Sequence, residues 1–218
     1  GKSKFNQGEP GRAQWFGTAC CPTNLARLLP QVPGMVYAHE GNDLYITFYA
    51  GSKTKIDLDA TQVGIQQETN YPDDGKVVVR ISPDKTSRFR VLLRIPMWAG
   101  DRFLPGDLYT YANGFSGRFE LRVNGKPIDA TLERGFAVID REWQSGDRLE
   151  LSLPMPVRAV RCHPAVKANR NRRAFVRGPL VLCAEGIDND GTIQNIFVGD
   201  SPDTTNAKIC QTSVPFGS

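Results

Sequence analysis

A change of hydrophobic period near residue 35 constrains the fold of this 218-residue chain more than any other feature. Beyond that point apolar residues recur at every second position, and successive side chains of a β-strand point to opposite faces of a sheet. In residues 88–95, for example, Phe89, Val91 and Leu93 share one face and three arginines fall on the other. We predict further strands at residues 43–49, 56–58, 64–68, 76–81, 119–123, 135–140, 148–153, 157–160 and 174–184.

Turn residues separate these predicted strands. Asn124 and Gly125 form the strongest two-residue hairpin signal, because both tolerate the positive φ that a type I′ turn requires. Residues 96–117 are rich in glycine, proline and aspartate, which predicts a long loop. Short strands separated by turns, without a long helical pattern, are typical of an antiparallel β-sandwich. We therefore predict an all-β fold, with one or two sandwich modules at residues 37–117 and 118–218.

One short helix is predicted ahead of the strands, within residues 1–36. Leu25, Leu28 and Leu29 are spaced i, i+3 and i+4, so they share one helical face. Pro22 suits the first turn, where its missing N–H has no intrahelical partner, and the next proline ends the helix. A helix of about two turns does not persist alone in water, so it needs a body to pack on. When uncovered, its apolar face favours self-association, and we predict a homo-oligomer.

Charge and hydropathy exclude two classes of partner. The net charge of +4 is too small for nucleic acid or an anionic membrane surface to be the main partner. No stretch approaches the roughly 20 apolar residues that span a bilayer. Basic residues are concentrated in residues 158–177, and the regular aromatic interleaving expected for single-stranded nucleic acid is missing. We interpret this run as a solvated loop, or as a surface that faces acidic groups, with a polyanion site as the alternative.

The tryptophans and the isolated cysteines favour structural roles. Trp98 and Trp143 each lie at the end of a predicted strand, where an aromatic residue commonly closes a sandwich core, although stacking on a sugar is the alternative. Cys183 lies in the apolar run 179–184, which predicts a buried side chain. An odd number of cysteines spread over the chain does not indicate a disulfide framework.

Cys20 and Cys21 are the strongest candidates for chemistry. Adjacent side chains point in different directions, so two neighbouring cysteines fill a core poorly, whereas two thiolates suit one metal ion, or one ligand and one nucleophile. The N-terminal end of a helix stabilises a nearby anion by about 0.3–1 kcal/mol. A chance pair of small hydrophobic residues and a vicinal disulfide are the alternatives. A zinc site normally has four ligands, and neither His39 nor His163 has ligand spacing.

The surroundings of the pair carry a resemblance. The segment WFGTACCPTNLARL at residues 15–28 resembles the cysteine motif of glycoside hydrolase family 127, whose founding activity is β-L-arabinofuranosidase. The resemblance continues in the family's order and covers most of residues 15–185. Its further segments are GNDLYI at 41–46, LRIPMWA at 93–99, VNG at 123–125, WQSGD at 143–147, LPMPV at 153–157 and RGPLV at 177–181.

The resemblance implies a fold and a set of roles. In that family an (α/α)6 barrel carries the active site and β-sandwich modules follow it, so residues 1–36 would be a remnant of the barrel. Zinc is held by a glutamate, a cysteine and two adjacent cysteines. Carried over, Cys20 would be the nucleophile and a zinc ligand, and Cys21 a zinc ligand. A thioglycosyl intermediate with a separate glutamate as acid/base would split one difficult displacement into two and retain the anomeric configuration.

The resemblance also implies parts that would precede residue 1. The upstream glutamate and cysteine ligands, the acid/base glutamate and most of the barrel would lie there, and Glu9 does not match the family's ligand. We therefore expect a parent enzyme that cleaves a glycan, and a chain that is inactive alone and binds zinc weakly or not at all. The missing barrel would be its partner. The alternative is a non-catalytic carbohydrate-binding or scaffolding module. Neither the sugar nor the compartment is indicated by the sequence.

Overall fold

The structure, a computed structural model, describes residues 20–189 and residue 196. In this part of the chain one α-helix, α1 (Cys20–Leu28), precedes fifteen strands, and no helix is long and apolar enough to cross a membrane. The strands are β1 (Tyr37–Glu40), β2 (Asp43–Ile46), β3 (Ser52–Asp57), β4 (Gln62–Thr69), β5 (Lys76–Pro83), β6 (Ser87–Arg94), β7 (Tyr109–Tyr111), β8 (Glu120–Val123), β9 (Lys126–Ile128), β10 (Thr131–Glu133), β11 (Phe136–Trp143), β12 (Asp147–Ser152), β13 (Val157–Cys162), β14 (Ala174–Arg177) and β15 (Leu180–Leu182). Short 3₁₀ helices cover Leu29–Met35, Met97–Ala99, Lys167–Asn169 and Gly186–Asp188.

The predicted helix is present, and it begins two residues earlier than the sequence indicates. α1 starts at Cys20, so Pro22 is its third residue, still within the turn whose N–H groups have no intrahelical partner. The chain then continues as the 3₁₀ helix Leu29–Met35. Pro30 and Pro33 lack the N–H that an α-helical bond requires, which ends the α-helix there. No residue of either helix is buried.

Two sheets form the β-sandwich that the sequence predicts. One sheet has five strands in the order β1-β2-β6-β11-β10, and the other has six in the order β3-β4-β5-β12-β8-β9. Neighbouring strands are antiparallel except β2 and β6, which run parallel. The all-β prediction is therefore confirmed, with one parallel pair as a departure from purely antiparallel pairing.

The period-two alternation places one face of each sheet in a shared core. Val77, Val79 and Ile81 of β5 are buried against the same cluster as Val91 and Leu93 of β6. Burial of apolar surface contributes about 25 cal/mol per Å². A slip of one residue would turn the whole apolar face of a strand to solvent, so this core also sets the register of the strands.

Trp98 and Trp143 contribute to this core rather than to an exposed sugar-stacking surface. Trp143 is fully buried, and its indole Nε1 donates a hydrogen bond of 3.0 Å to the carbonyl oxygen of Phe89. The two rings stack with centroids 5.9 Å apart. Trp98 is half-buried at the edge of the core, stacked on Tyr71 with centroids 6.4 Å apart. The preference for a core role is confirmed for Trp143, while Trp98 packs at the periphery.

The predicted Asn124–Gly125 hairpin turn is also confirmed. The two residues connect β8 to β9 with φ values of 51° and 77°. The side-chain amide of Asn124 donates to the buried carboxylate of Asp147 (2.7 Å), and its oxygen accepts from the N–H of Arg148 (2.8 Å). Asp147 also accepts from the N–H of Gln144 (3.0 Å). These bonds attach the turn to the start of β12.

A third sheet of four antiparallel strands follows in the order β15-β14-β13-β7. Its small core is formed by Tyr111, Val160 and Val176. β7 lies within residues 96–117, where the sequence predicts only a loop. A strand of three residues is too short to show a recognisable alternation, which is why the prediction missed it.

The expectation that Cys183 is buried is wrong. Cys183 is exposed and follows β15, which forms one edge of the third sheet. Val181 of the same strand is 63% exposed. An edge strand has a neighbour on one side only, so an apolar run there is less covered than the same run in a central strand.

Strands on both sides of the predicted module boundary, between residues 117 and 118, pair with each other. β6 precedes that point and β11 follows it, yet the two strands pair over their full lengths. β5 also precedes that point, and it pairs with the full length of β12. The division of residues 37–218 into two modules at this position stays a prediction.

Candidate active-site cysteines

Cys20 and Cys21 occupy the first turn of α1, and both thiols are exposed. Their Sγ atoms are 3.9 Å apart. The hydroxyl of Thr23 donates to the carbonyl oxygen of Cys20 (3.0 Å), which supports the backbone of the turn. The helix thus presents two neighbouring sulfur atoms in its first turn, where backbone N–H groups have no intrahelical partners.

The sulfur separation suits two ligands of a single zinc ion. Zinc–sulfur bonds of about 2.3 Å in a tetrahedral arrangement place two sulfurs roughly 3.8 Å apart. Soft thiolates are also preferred zinc ligands. The donor set contributed by α1 is nevertheless only half of the usual four. Within residues 20–189 and residue 196, no cluster of three or more histidine, cysteine or acidic side chains could hold a metal ion.

The other candidate residues lie apart from the pair. The thiol of Cys162 donates to the backbone carbonyl oxygen of Asn169 (3.1 Å), so it links the end of β13 to the segment that connects β13 with β14. His39 lies on β1, and His163 follows β13. Neither belongs to a metal-binding group in the described part of the chain. Glu9 and Cys210 lie outside the described residues.

An apolar surface adjoins the cysteines. Leu25 is 56% exposed and Leu29 is 65% exposed, and Leu28 and Val32 of the same helical stretch are also uncovered. Together these four residues form what we call the leucine face. Large apolar side chains gathered on one exposed face are typical of a contact surface.

Sequence reasoning missed an aromatic groove on the sandwich. It has a volume of about 480 Å³, and its lining residues are Thr47, Phe48, Tyr49, Tyr71, Arg94, Pro96, Met97 and Phe136. They come from positions spread over 90 residues, so no local signal could have revealed them. The hydroxyl of Tyr49 donates to the backbone carbonyl of Arg94, and burial raises the pKa of both Tyr49 and Tyr71. The lining contains no carboxylate, so it does not provide the acid/base pair of a glycosidase.

The described residues form a β-rich protein in which an exposed helix with two adjacent thiols precedes the strands, and comparison with known families shows the family. The model of the β-L-arabinofuranosidase GH127 middle domain matches residues 43–155, and the model of the glycoside hydrolase family 127 C-terminal domain matches residues 157–217. The chain belongs to glycoside hydrolase family 127, as the resemblance in the sequence implies.

Comparison with relatives and with solved structures leads to the same family. The chain is 33% identical over 205 residues to a non-reducing end β-L-arabinofuranosidase of Bifidobacterium longum, covering 91% of this chain and 28% of the relative. A solved GH127 β-arabinofuranosidase has 37% identity and a TM-score of 0.75, covering 83% of this chain and 29% of that one. A GH127 β-L-arabinofuranosidase from Geobacillus stearothermophilus T6 has 38% identity and a TM-score of 0.72, covering 87% and 28%. The chain therefore spans less than a third of the length of these relatives.

Proposed function

We propose that this chain supplies the β-sandwich region and the cysteine motif of a retaining glycosidase of the β-L-arabinofuranosidase type. The observation that carries the proposal is the pair of exposed sulfur atoms, 3.9 Å apart in the first turn of α1, in a chain of family 127. The names of the relatives support the sugar class, since each is a β-arabinofuranosidase. A glycan is the corresponding substrate of the whole protein.

In this proposal Cys20 is the nucleophile and a zinc ligand, and Cys21 is a zinc ligand. Bound zinc would keep both sulfurs in the thiolate form, which is the nucleophilic state. The Cys20 thiolate forms a bond to the anomeric carbon while the bond to the leaving oxygen breaks, and an acid outside the described residues protonates that oxygen. Water then displaces the sulfur, so two inversions retain the configuration.

The 218-residue chain by itself should be a non-catalytic module. Two of four zinc ligands and no acid/base are recognised in it, so we expect weak zinc binding and no hydrolysis. The sandwich would instead act as a scaffold for a helical domain. This role agrees with the scaffolding module that the sequence analysis gives as its alternative. The leucine face is the proposed contact surface, since it lies on the same helix as the cysteines.

A trivalent arsenical tests the sulfur geometry in the chain as it exists. Phenylarsine oxide bridges two thiols that are close together, and the expected product is one adduct at Cys20 and Cys21, seen by intact mass and peptide mapping. Cys20→Ser should abolish the adduct, whereas Cys183→Ser, which removes another exposed thiol, should leave it unchanged. An adduct that survives Cys20→Ser would contradict the paired arrangement.

Joining this chain to the helical domain of a family 127 relative tests the catalytic role. The joined protein should hydrolyse an aryl β-L-arabinofuranoside, and Cys20→Ala should abolish hydrolysis while Cys183→Ala retains it. Hydrolysis by the 218-residue chain alone would refute the proposed division of labour. Retained activity in the Cys20→Ala protein would refute the nucleophile assignment.

Self-association of the chain follows from the same contact surface. An uncovered face formed by four large apolar residues favours dimers or larger species. Leu25→Lys with Leu29→Lys should shift the mass measured by light scattering toward that of a monomer. A wild-type chain that is monomeric at the highest concentration tested would argue against the homo-oligomer.

A further inference from the structure

The connection between β13 and β14 concentrates positive charge. No aspartate or glutamate occurs between Glu150 and Glu185, whereas seven arginines and lysines do. The whole chain has a net charge of +4, so everything outside this segment is negative by three charges. We call the exposed part at residues 161–173 the cationic loop. Its charged members are Arg161, Lys167, Arg170, Arg172 and Arg173.

Hydrogen bonds hold the backbone of the cationic loop in a defined conformation. The side-chain amide of Asn169 donates to the hydroxyl of Tyr109 (3.1 Å), and the backbone carbonyl oxygen of Asn169 accepts from the thiol of Cys162 (3.1 Å). The N–H of Val166 donates to the carbonyl of His163 (2.9 Å), and the N–H of Arg172 donates to that of Asn169 (3.1 Å). The loop is therefore anchored to β7 and β13, and its charges are displayed from an ordered scaffold.

The cations of the loop have no anionic partner within residues 20–189. The ion pairs in this part of the chain involve other arginines, on β5, β6, β8, β11 and β12. The guanidinium of Arg170 donates to the backbone carbonyl of Pro164 (3.5 Å), and the guanidinium of Arg173 donates to that of Arg172 (3.4 Å). Like charges within one short segment repel one another, so an external polyanion would relieve a repulsion that the ion pairs of the described residues do not offset.

We infer that the cationic loop binds a carboxylate-bearing polysaccharide, a polyuronate chain attached to or neighbouring the proposed substrate. Four of its five cations are arginines in the described structure, and the planar guanidinium matches a carboxylate with two parallel hydrogen bonds. Residues 161–173 contain no phenylalanine, tyrosine or tryptophan, so the stacking that single-stranded nucleic acid requires is not provided. The inference rests on the proposed function for its choice of a glycan over other polyanions.

Binding of an oligogalacturonate to the 218-residue chain tests the inference by calorimetry at low and moderate salt. The same oligosaccharide with its carboxylates methyl-esterified is the matched ligand control. We expect binding of the acidic form only, weakening as salt rises. Arg170→Gln with Arg172→Gln and Arg173→Gln should weaken it about tenfold or more, since each removed cation lowers affinity for a polyanion.

A matched variant separates the site from net charge. Lys53→Gln with Lys55→Gln and Lys126→Gln removes the same charge from exposed positions on β3 and β9, and it should change affinity by less than about twofold. Equal weakening by both triple variants would overturn the inference, as would equal binding of the esterified ligand. Replacing the three arginines with lysine keeps the charge, so the remaining loss of affinity measures the contribution of the planar guanidinium groups. Circular dichroism of each variant verifies that it is folded.

Further results distinguish this inference from nucleic-acid binding and from the proposed function. Tighter binding of a single-stranded DNA of equal charge than of the oligogalacturonate would overturn the inference in favour of nucleic acid. The isolated chain binds without hydrolysis, so this test is independent of Cys20. If the chain binds the oligogalacturonate while the protein joined to a helical domain hydrolyses no arabinofuranoside, the proposed function fails alone. If hydrolysis depends on Cys20 while no acidic glycan binds, this inference fails alone.

Discussion

Replacing Trp143 with phenylalanine removes a hydrogen bond and part of a ring from the centre of the sandwich. Trp143 is fully buried, and its indole donates to the carbonyl oxygen of Phe89 at 3.0 Å. A buried carbonyl that loses a donor costs about 1–3 kcal/mol. The smaller ring leaves a void that adds about 1 kcal/mol, at roughly 24 cal/mol per Å³ of cavity. We expect Trp143→Phe to lower the free energy of unfolding by about 2–4 kcal/mol.

Urea unfolding followed by far-UV circular dichroism measures this change. Trp98→Phe is the matched control, because the same substitution at a half-buried position on the edge of the core should cost about 1 kcal/mol or less. The two variants should keep the same dependence on urea, which indicates that the surface exposed on unfolding is unchanged. If Trp143→Phe is no less stable than Trp98→Phe, the sheets do not share the core described here.

Three further changes test separate parts of the fold. Asp147→Ala leaves two hydrogen-bond donors without their acceptor and should destabilise the chain by about 2–3 kcal/mol in urea unfolding. Gly75→Ala would drive a Cβ into the carbonyl oxygen of Leu153, so its thermal midpoint should fall well below that of Gly114→Ala, whose Cβ meets nothing within 4 Å. Burial raises the pKa of Tyr49, so stability that is present below about pH 10 should decline above it, and Tyr49→Phe should flatten the decline measured by urea unfolding across pH 9–11.

Strict alternation explains why most of the sandwich is predictable from the sequence. β5 has one face buried along its whole length, and β6 buries Phe89, Val91 and Leu93 on one face, and these patterns are visible without knowing the neighbouring strands. β7 and β10 escape prediction because each has three residues, and every residue of β10 is exposed. The parallel pairing of β2 with β6 depends on how the chain returns across the sheet, which local alternation does not encode.

The candidate site shows the same division between local and long-range information. Cys20 and Cys21 are adjacent in sequence, so their proximity follows from the chain itself and needs no tertiary structure. The aromatic groove brings Phe48 and Phe136 together from distant segments, and only the fold reveals it. Cys183 illustrates the opposite error, because an apolar run predicts burial only when another layer covers the strand.

Zinc binding by the 218-residue chain, measured by native mass spectrometry and chelator competition, tests the central claim most directly. The account predicts weak binding that is lost during dialysis against a chelator and is abolished by Cys20→Ser or Cys21→Ser, since the pair supplies two of four ligands. A chain that retains close to one zinc ion through that dialysis would contradict the claim that the ligand set is shared with a second domain. Zinc binding that is indifferent to both substitutions would contradict the assignment of the two cysteines.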